Sequence, residues 1–304
     1  MESKIKVSVV MSVFNGENYL RRSIESILNQ SLIELEFIII NDFSTDKSIE
    51  IINEYQQKDN RVVVINNSIN LGLTKSLNIG LKLAKGEYIA RIDADDLIYP
   101  DKLEYQYDYL EKHPDIYLLG TGTEEINEDG EVITIYPRIT NSNLLKWRLG
   151  KKNCIYHSSI MFRNEKKYYY REKFPYSQDY DLYLCMLSDG KKLKNTSKIL
   201  TQYRINTKAI SWTKNAIQKL FAKKANEMYW MRKKLGKDNY DSFNSDDILH
   251  LDIGASIDPY ILLMEIKSAY KTKNHPKLKE LITRYNTVKK TMFNWQNIKY
   301  LFKK

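Results

Sequence analysis

Cysteine is nearly absent from this 304-residue chain: Cys154 and Cys185 stand alone, far apart and without metal-type spacing. That excludes a disulfide scaffold and a cysteine-built metal site, and it fits a reducing compartment. Long apolar runs are also missing, since none approaches the ~20 residues that span a bilayer. The first apolar run, Val7 to Phe14, is short, carries Ser8 and Ser12, and lacks a small-residue cleavage site, so no secretory signal is expected. The expectation is a cytoplasmic, soluble globular protein. No Gly-rich dinucleotide fingerprint occurs, nor a phosphate loop ending in Lys-Ser or Lys-Thr, which argues against a nicotinamide enzyme and a nucleoside triphosphatase.

Charge is present but unevenly placed. The net charge is +10, yet residues 1 to 210 hold 29 basic and 29 acidic side chains, so the whole excess falls in residues 211 to 304. A neutral body with a basic tail follows. Such a tail suits anionic lipid or nucleic acid, and charge alone does not separate the two.

The first 120 residues alternate short β-branched runs with amphipathic helical segments, the pattern of βαβ units and a largely parallel sheet. Strands are expected at Lys6 to Val13, Phe37 to Ile40, Arg61 to Ile65 and Tyr88 to Ile92. Helices are expected at Glu17 to Asn29, at Ser44 to Tyr55, and through Leu77 to a cap at Gly86. Residues 121 to 211 read as less regular, with a turn at Asn127 to Gly130 between strand-like runs and a buried strand at His157 to Arg163 entered through a polar end. Lys166 to Lys173, with three consecutive tyrosines, reads as a mobile loop near a substrate or a plain surface loop.

The fourth strand runs into Arg91-Ile92-Asp93-Ala94-Asp95-Asp96. Three carboxylates in four residues repel one another and call for a cation, with Mg²⁺ or Mn²⁺ suited to hard oxygen ligands. A solvated acidic turn is the plain alternative. Its place at the carboxyl end of a strand, where open α/β sheets bind ligands, favours function. Asp42, at the end of the second strand, presents a further carboxylate toward the same crevice. Ser44 or Thr45 beside it can cap the next helix.

Taken in order, these segments resemble the family 2 glycosyltransferases of the inverting GT-A fold, over about residues 4 to 211. Val9 to Gly16 resembles the opening strand and turn, and Asn41 to Asp46 the second-strand motif. Asn70-Leu71-Gly72-Leu73 with Arg91 to Asp96 resembles the stretch ending in the metal-binding Asp-x-Asp. Ser177 to Leu182 is similar to the acceptor-side motif. The resemblance implies a Rossmann-like, mainly parallel sheet with a C-terminal helical extension. It divides the chain into a catalytic domain at residues 1 to 211 and a basic extension at residues 212 to 304. Within the catalytic domain, residues 1 to 120 would bind the nucleotide sugar and residues 121 to 211 the acceptor.

The same resemblance implies a hexosyl- or N-acetylhexosaminyltransferase that moves one sugar from a nucleotide-diphosphate donor, of UDP type, to a surface glycan such as lipopolysaccharide or capsule, or to its lipid-linked precursor. Asp95 becomes the metal ligand, with Asp93 as a second ligand or donor contact, and Mn²⁺ or Mg²⁺ neutralises the leaving diphosphate. Asp42, with the main chain near Phe14 and Asn15, would hold the nucleotide base; Arg91 would pair with the carboxylates or the phosphates, and Arg204 is the candidate phosphate partner. Relatives often carry His where Asn206 stands here. Asp179 matches the base position, whose plain alternative is a carboxylate at a helix start. Gln178 replaces the usual Glu, Asp181 is the fallback base, Asp96 either supports the metal ligands or is another ligand, and His157 falls near the acceptor or the diphosphate.

In the tail, Ile217, Leu220, Phe221, Ala225, Met228, Met231 and Leu235 share one helical face, and Lys219, Lys223, Lys233 and Lys234 the other. Asp258-Pro259 opens a further helix. Terminal aromatics and lysines from Phe293 to Lys304 suit a lipid headgroup layer, so peripheral contact with anionic membrane is expected. Two other classes compete: a nucleotidyltransferase on a similar sheet, which would need a Gly-rich, Arg-containing first loop, and a non-catalytic basic nucleic-acid or membrane binder. No nucleic-acid motif is visible. A processive synthase lacks support because Gln-x-x-Arg-Trp is absent.

Overall fold

Short β-branched segments build one half of a sheet in the computed structural model, which describes residues 4–136, 138–205, 215–251, 266, 269–270 and 275–292. Strands β1 (Val7–Val13), β2 (Leu35–Asn41), β3 (Val62–Asn66) and β4 (Tyr88–Arg91) alternate with helices α1 (Glu17–Leu28), α2 (Ser48–Lys58) and α3 (Leu73–Leu83). A helix between successive strands carries the chain back to the same end, so the strands pair in parallel, in the order β3-β2-β1-β4. The expected GT-A sheet is therefore present.

The other half is mixed. It uses β5 (Leu97–Ile98), α4 (Lys102–Lys112), β6 (Ile116–Ile126), β7 (Val132–Tyr136), α5 (Ser142–Leu149), a 3₁₀ turn at His157–Ser159, β8 (Met161–Arg163), α6 (Gln178–Ser188) and β9 (Lys192–Arg204). The order continues β4-β8-β6-β9-β5, with β8 antiparallel to both neighbours, β6 parallel to β9, and β7 folded back on β6. Helices α7 (Asn215–Leu235), α8 (Asp246–Leu249) and α9 (His275–Met292) follow. Among the described residues, no helix is long and apolar enough to cross a membrane.

One face of the sheet packs Val9, Met11, Phe37 and Ile39 against Leu20, Ile24 and Ile52. The opposite face packs Val10, Ile38 and Ile40 against Leu77 and Leu81, and its cluster extends through Tyr180 and Leu184 of α6 to Phe221, Ala225 and Met228 of α7. Thus the middle of the apolar stripe read from the tail, Phe221, Ala225 and Met228 with Ile217 packed beside them, is core, while Leu235 at its end is exposed. Ring contacts bring Phe221 to Phe174 at 6.0 Å and to Phe243 at 6.3 Å.

Several expectations need correction. Gly86 does not cap α3 in a left-handed turn; a Cβ there would lie 2.5 Å from the Ser8 nitrogen, so the residue is glycine because β1 passes too close. Helix α2 starts at Ser48, not Ser44, because Ser44, Thr45 and Asp46 bond instead to the turn after β1: Asn15 N–H donates to Ser44 Oγ at 3.1 Å and Glu17 N–H to Asp46 Oδ2 at 3.0 Å. Residues 166 to 173 are not a loose loop. Tyr168 and Tyr170 are buried, and Asn78 clasps the Tyr170 backbone with two hydrogen bonds of 2.8 Å.

The middle third is more regular than its composition suggests. β6 is buried along its whole length although it carries Gly120, Gly122 and two glutamates. Gly122 is required because a Cβ would lie 2.9 Å from the backbone carbonyl oxygens of Ser197 and Lys198 on β9. The residue-211 boundary, Asn206, the Asp258-Pro259 helix start and the terminal aromatics lie outside the described residues.

Phe221→Ala should cost about 3–5 kcal/mol of unfolding free energy, measured by chemical denaturation, because it removes a fully buried ring from a core shared by α6 and α7. Lys223→Ala, on the exposed side of the same helix, should stay within about 0.5 kcal/mol.

Candidate active site

Parallel register sets the ends of β1, β2 and β4 side by side: Val13 pairs with Asn41, and Val10 with Arg91. The residues just beyond these ends form the site. Arg91, 2% exposed, ion-pairs with Asp93. Ser158 completes a triangle, donating from Oγ to Asp93 Oδ2 at 3.1 Å while accepting from Asp93 N–H at 3.0 Å and from Arg91 Nη1 at 3.3 Å. A buried guanidinium needs such partners, because leaving it unpaired is costly.

Arg204 ends β9 and reaches the same turn from the far side. Its Nε donates to the Asp95 carbonyl at 2.9 Å, its Nη1 to the carbonyls of Asn127 and Glu128 at 2.7 and 2.9 Å, and its backbone N–H to Asp96 Oδ1 at 2.8 Å. The guanidinium also lies 4.5 Å above the Tyr19 ring. Arg204 is thus a clamp between the acidic turn and the β6–β7 turn.

The three carboxylates differ in environment. Burial, then the charge of Asp93, pushes Asp95 up to about 6. Asp96 is fully buried and rises well above the usual carboxylate range, first through burial and then through repulsion from Asp95 and Asp93. Its Oδ2 has no hydrogen-bond partner among the described residues. Arg91 and Arg204 offset this repulsion only in part, and a divalent cation would relieve the remainder. Among the described residues no three His, Cys, Asp or Glu side chains close into a metal cage. Asp95 with Asp96 or Asp93 would therefore hold a cation jointly with phosphate oxygens from a substrate.

Asp42 is buried, and both its oxygens are engaged: Oδ1 accepts from Asn67 Nδ2 and Leu71 N–H, and Oδ2 from Gly72 N–H, all at 2.8 Å. It organises the loop that opens α3. Oδ1 has both lone pairs occupied, which leaves Oδ2 as the acceptor for a ligand. Asn15, at a left-handed φ of 52°, receives Thr45 N–H at 2.8 Å. Phe14 and Phe43 stand about half exposed at the mouth.

Across from the acidic turn, Asp179 sits in the first turn of α6 and accepts from Asn153 Nδ2 at 2.7 Å. Its pKa is raised by burial and held back by bonds from Tyr180 N–H and Asn153; Arg91 and Asp93 both act on it, which marks one shared field. His157 shares a 2.6 Å hydrogen bond with Tyr170 Oη, and burial followed by the charge of Arg91 keeps its imidazole neutral. Asp181 is placed elsewhere. It is fully buried and held by Arg171 through Nε at 2.7 Å and through Nη2, while Arg171 also meets Asp238 at 2.7 Å. Gln178 is buried at the start of α6. Sequence reasoning missed Ser158 and Asn153; the only signal was polar residues at the entry to a buried strand.

The profile of Glycosyl transferase family 2 matches residues 8–168. The chain belongs to this family. An uncharacterised glycosyltransferase of Methanocaldococcus jannaschii is 37% identical over 233 residues, 75% of this chain and 80% of that one. An Escherichia coli relative, named UDP-Glc:alpha-D-GlcNAc-diphosphoundecaprenol beta-1,3-glucosyltransferase WfaP, is 31% identical over 213 residues, 68% of this chain and 80% of its own. In fold, Staphylococcus aureus TarS 1–349, crystallised with UDP, superposes with a TM-score of 0.57 at 15% identity, covering 93% of this chain and 91% of the other. The glycosyltransferase is thus an enzyme of the GT-A type, and the nucleotidyltransferase and non-catalytic alternatives fall away.

Raised carboxylates have a consequence for stability. The folded glycosyltransferase retains the proton of Asp95 at pH values where the unfolded chain has lost it, so this contribution to stability is present at low pH and lost as pH rises through about 6; Asp96 is shifted in the same direction. In metal-free protein, Asp95→Asn should flatten the fall in thermal midpoint between about pH 4 and about pH 7. Parallel curves for the two proteins would contradict this.

Proposed function

We propose that the chain is an inverting glycosyltransferase that moves a single sugar from a nucleotide-diphosphate donor, of UDP type, to a hydroxyl of a surface glycan or its lipid-linked precursor. The carrying observation is the opposition of two groups in one field: the Arg91–Asp93–Ser158 triangle with the Asp95–Asp96 pair on one side, and Asp179 on the other. TarS with bound UDP and the name of WfaP support the donor class, and WfaP supports a lipid-diphosphate acceptor.

In this reading Asp42, with the backbone beside Phe14 and Asn15, receives the nucleotide, and Arg91 holds Asp93 toward the sugar. When bound at Asp95 and its neighbours, Mn²⁺ or Mg²⁺ neutralises charge on the leaving diphosphate. Asp179 accepts the proton of the acceptor hydroxyl as its oxygen bonds to the anomeric carbon and the carbon–phosphate-oxygen bond breaks on the opposite face. Burial raises the affinity of Asp179 for that proton, and Asn153 fixes the carboxylate. Asp179 is assigned in preference to Asp181, whose oxygens are held by Arg171. Arg204 is assigned to shaping the acidic turn, with Nη2 as its one guanidinium nitrogen left without a hydrogen-bond partner among the described residues. Catalysis resides in residues 1 to 211, with 212 to 304 as a basic extension, and the enzyme works in the cytoplasm.

Asp179→Asn should lower transfer at least ~10²-fold while donor-induced thermal stabilisation persists; full transfer by this variant would refute the base. For the cation, Asp95→Ala or excess chelator should abolish transfer, and activity undiminished in both would overturn that assignment.

A further inference from the structure

The described surface carries a second feature that sugar transfer does not use. On α5, Leu144 and Trp147 are 50% and 54% exposed, and on α7 Trp230 is 48% exposed. The two helices meet where Trp230 Nε1 donates to the Gly150 carbonyl at 3.1 Å, just past the end of α5. Lys151 Nζ lies 3.9 Å from the Trp147 ring centre.

Charge follows the same surface. Residues 142 to 152 and 215 to 235 together hold ten lysines and arginines and one acidic residue, Glu227. Lys224 faces Glu227 at 3.7 Å and Arg232 pairs with Asp238, while Lys146, Arg148, Lys151 and Lys152 on α5 and beyond are exposed. Helical spacing puts Trp230 on one stripe of α7 with the exposed Lys223, Lys233 and Lys234.

We propose that this α5–α7 surface docks the enzyme on an anionic bilayer, with Trp147, Trp230 and Leu144 entering the headgroup layer and the surrounding lysines meeting lipid phosphates. Half-exposed indoles among cations match that layer, which accepts an apolar ring and a polar N–H together. Nucleic acid would use the lysines but leaves Leu144 and the outward apolar faces without a partner. Docking here differs from contact through the terminal aromatics. It is also independent of the donor and base assignments, although Asn153, which holds Asp179, follows directly after Lys152 and so places the acceptor side next to the lipid.

The test is sedimentation of the full chain with phosphatidylcholine vesicles with and without phosphatidylglycerol. Binding is expected only with the anionic lipid. Trp147→Ser, and separately the pair Lys151→Glu and Lys152→Glu, should each reduce the bound fraction at least about fivefold with an unchanged unfolding midpoint. The proposal is overturned if the full chain does not bind anionic vesicles, if both folded variants bind like the parent, or if the chain retains duplex RNA or DNA but no vesicles.

Discussion

The negative charge at the end of β4 is tolerable because two buried arginines reach it from opposite sides. Arg91 comes from the strand itself and, with Ser158, fixes Asp93; Arg204 comes from the end of β9 and ties Asp95 and Asp96 to the β6–β7 turn. Each arginine is 1–2% exposed, so neither could remain buried without the carboxylates and carbonyls it meets. The constraint acts in both directions: the acids hold the mixed half of the sheet against the parallel half, and the arginines hold the acids in position. Compensation is incomplete, since Asp96 Oδ2 has no hydrogen-bond partner among the described residues and burial with mutual repulsion raises both Asp95 and Asp96.

A second ionic cluster performs the corresponding task at the start of α6. Arg171 joins Asp181 of α6 to Asp238, which also pairs with Arg232 of α7, and Ser177 Oγ, at a left-handed backbone position just before α6, donates to the Gln218 carbonyl at 2.9 Å. The start of α6, and with it Asp179, is therefore braced by the helix that follows the catalytic sheet. Helix α7 has two roles by its two faces: Phe221, Ala225 and Met228 complete the core, and Trp230 with its neighbouring lysines faces outward.

Much of the parallel half was legible because its signals are local. Short β-branched runs separated by amphipathic helices define parallel βαβ units, and carboxylates at two strand ends mark where such a sheet binds ligands. The mixed half was not. β6 contains Gly120, Thr121, Gly122 and Glu124, which weaken its strand signal; only the close approach of β9 makes glycine necessary at position 122 and buries the rest. Likewise the run Tyr168-Tyr169-Tyr170 looks mobile until Asn78, 92 residues from Tyr170, clasps its backbone.

By itself, then, the amino-acid order determined the family, the sheet type and the residues able to carry charge or accept a proton, since these depend on composition and short-range spacing. Tertiary structure decided how those residues divide their work. Asp42 is largely committed to its own loop, Arg204 to a turn and Asp181 to an ion network, while Asp179 remains in the field of Arg91 and Asp93. The physical reason is that a side chain's role depends on burial and on partners brought from distant regions of the chain, and neither is encoded in its neighbours along the sequence.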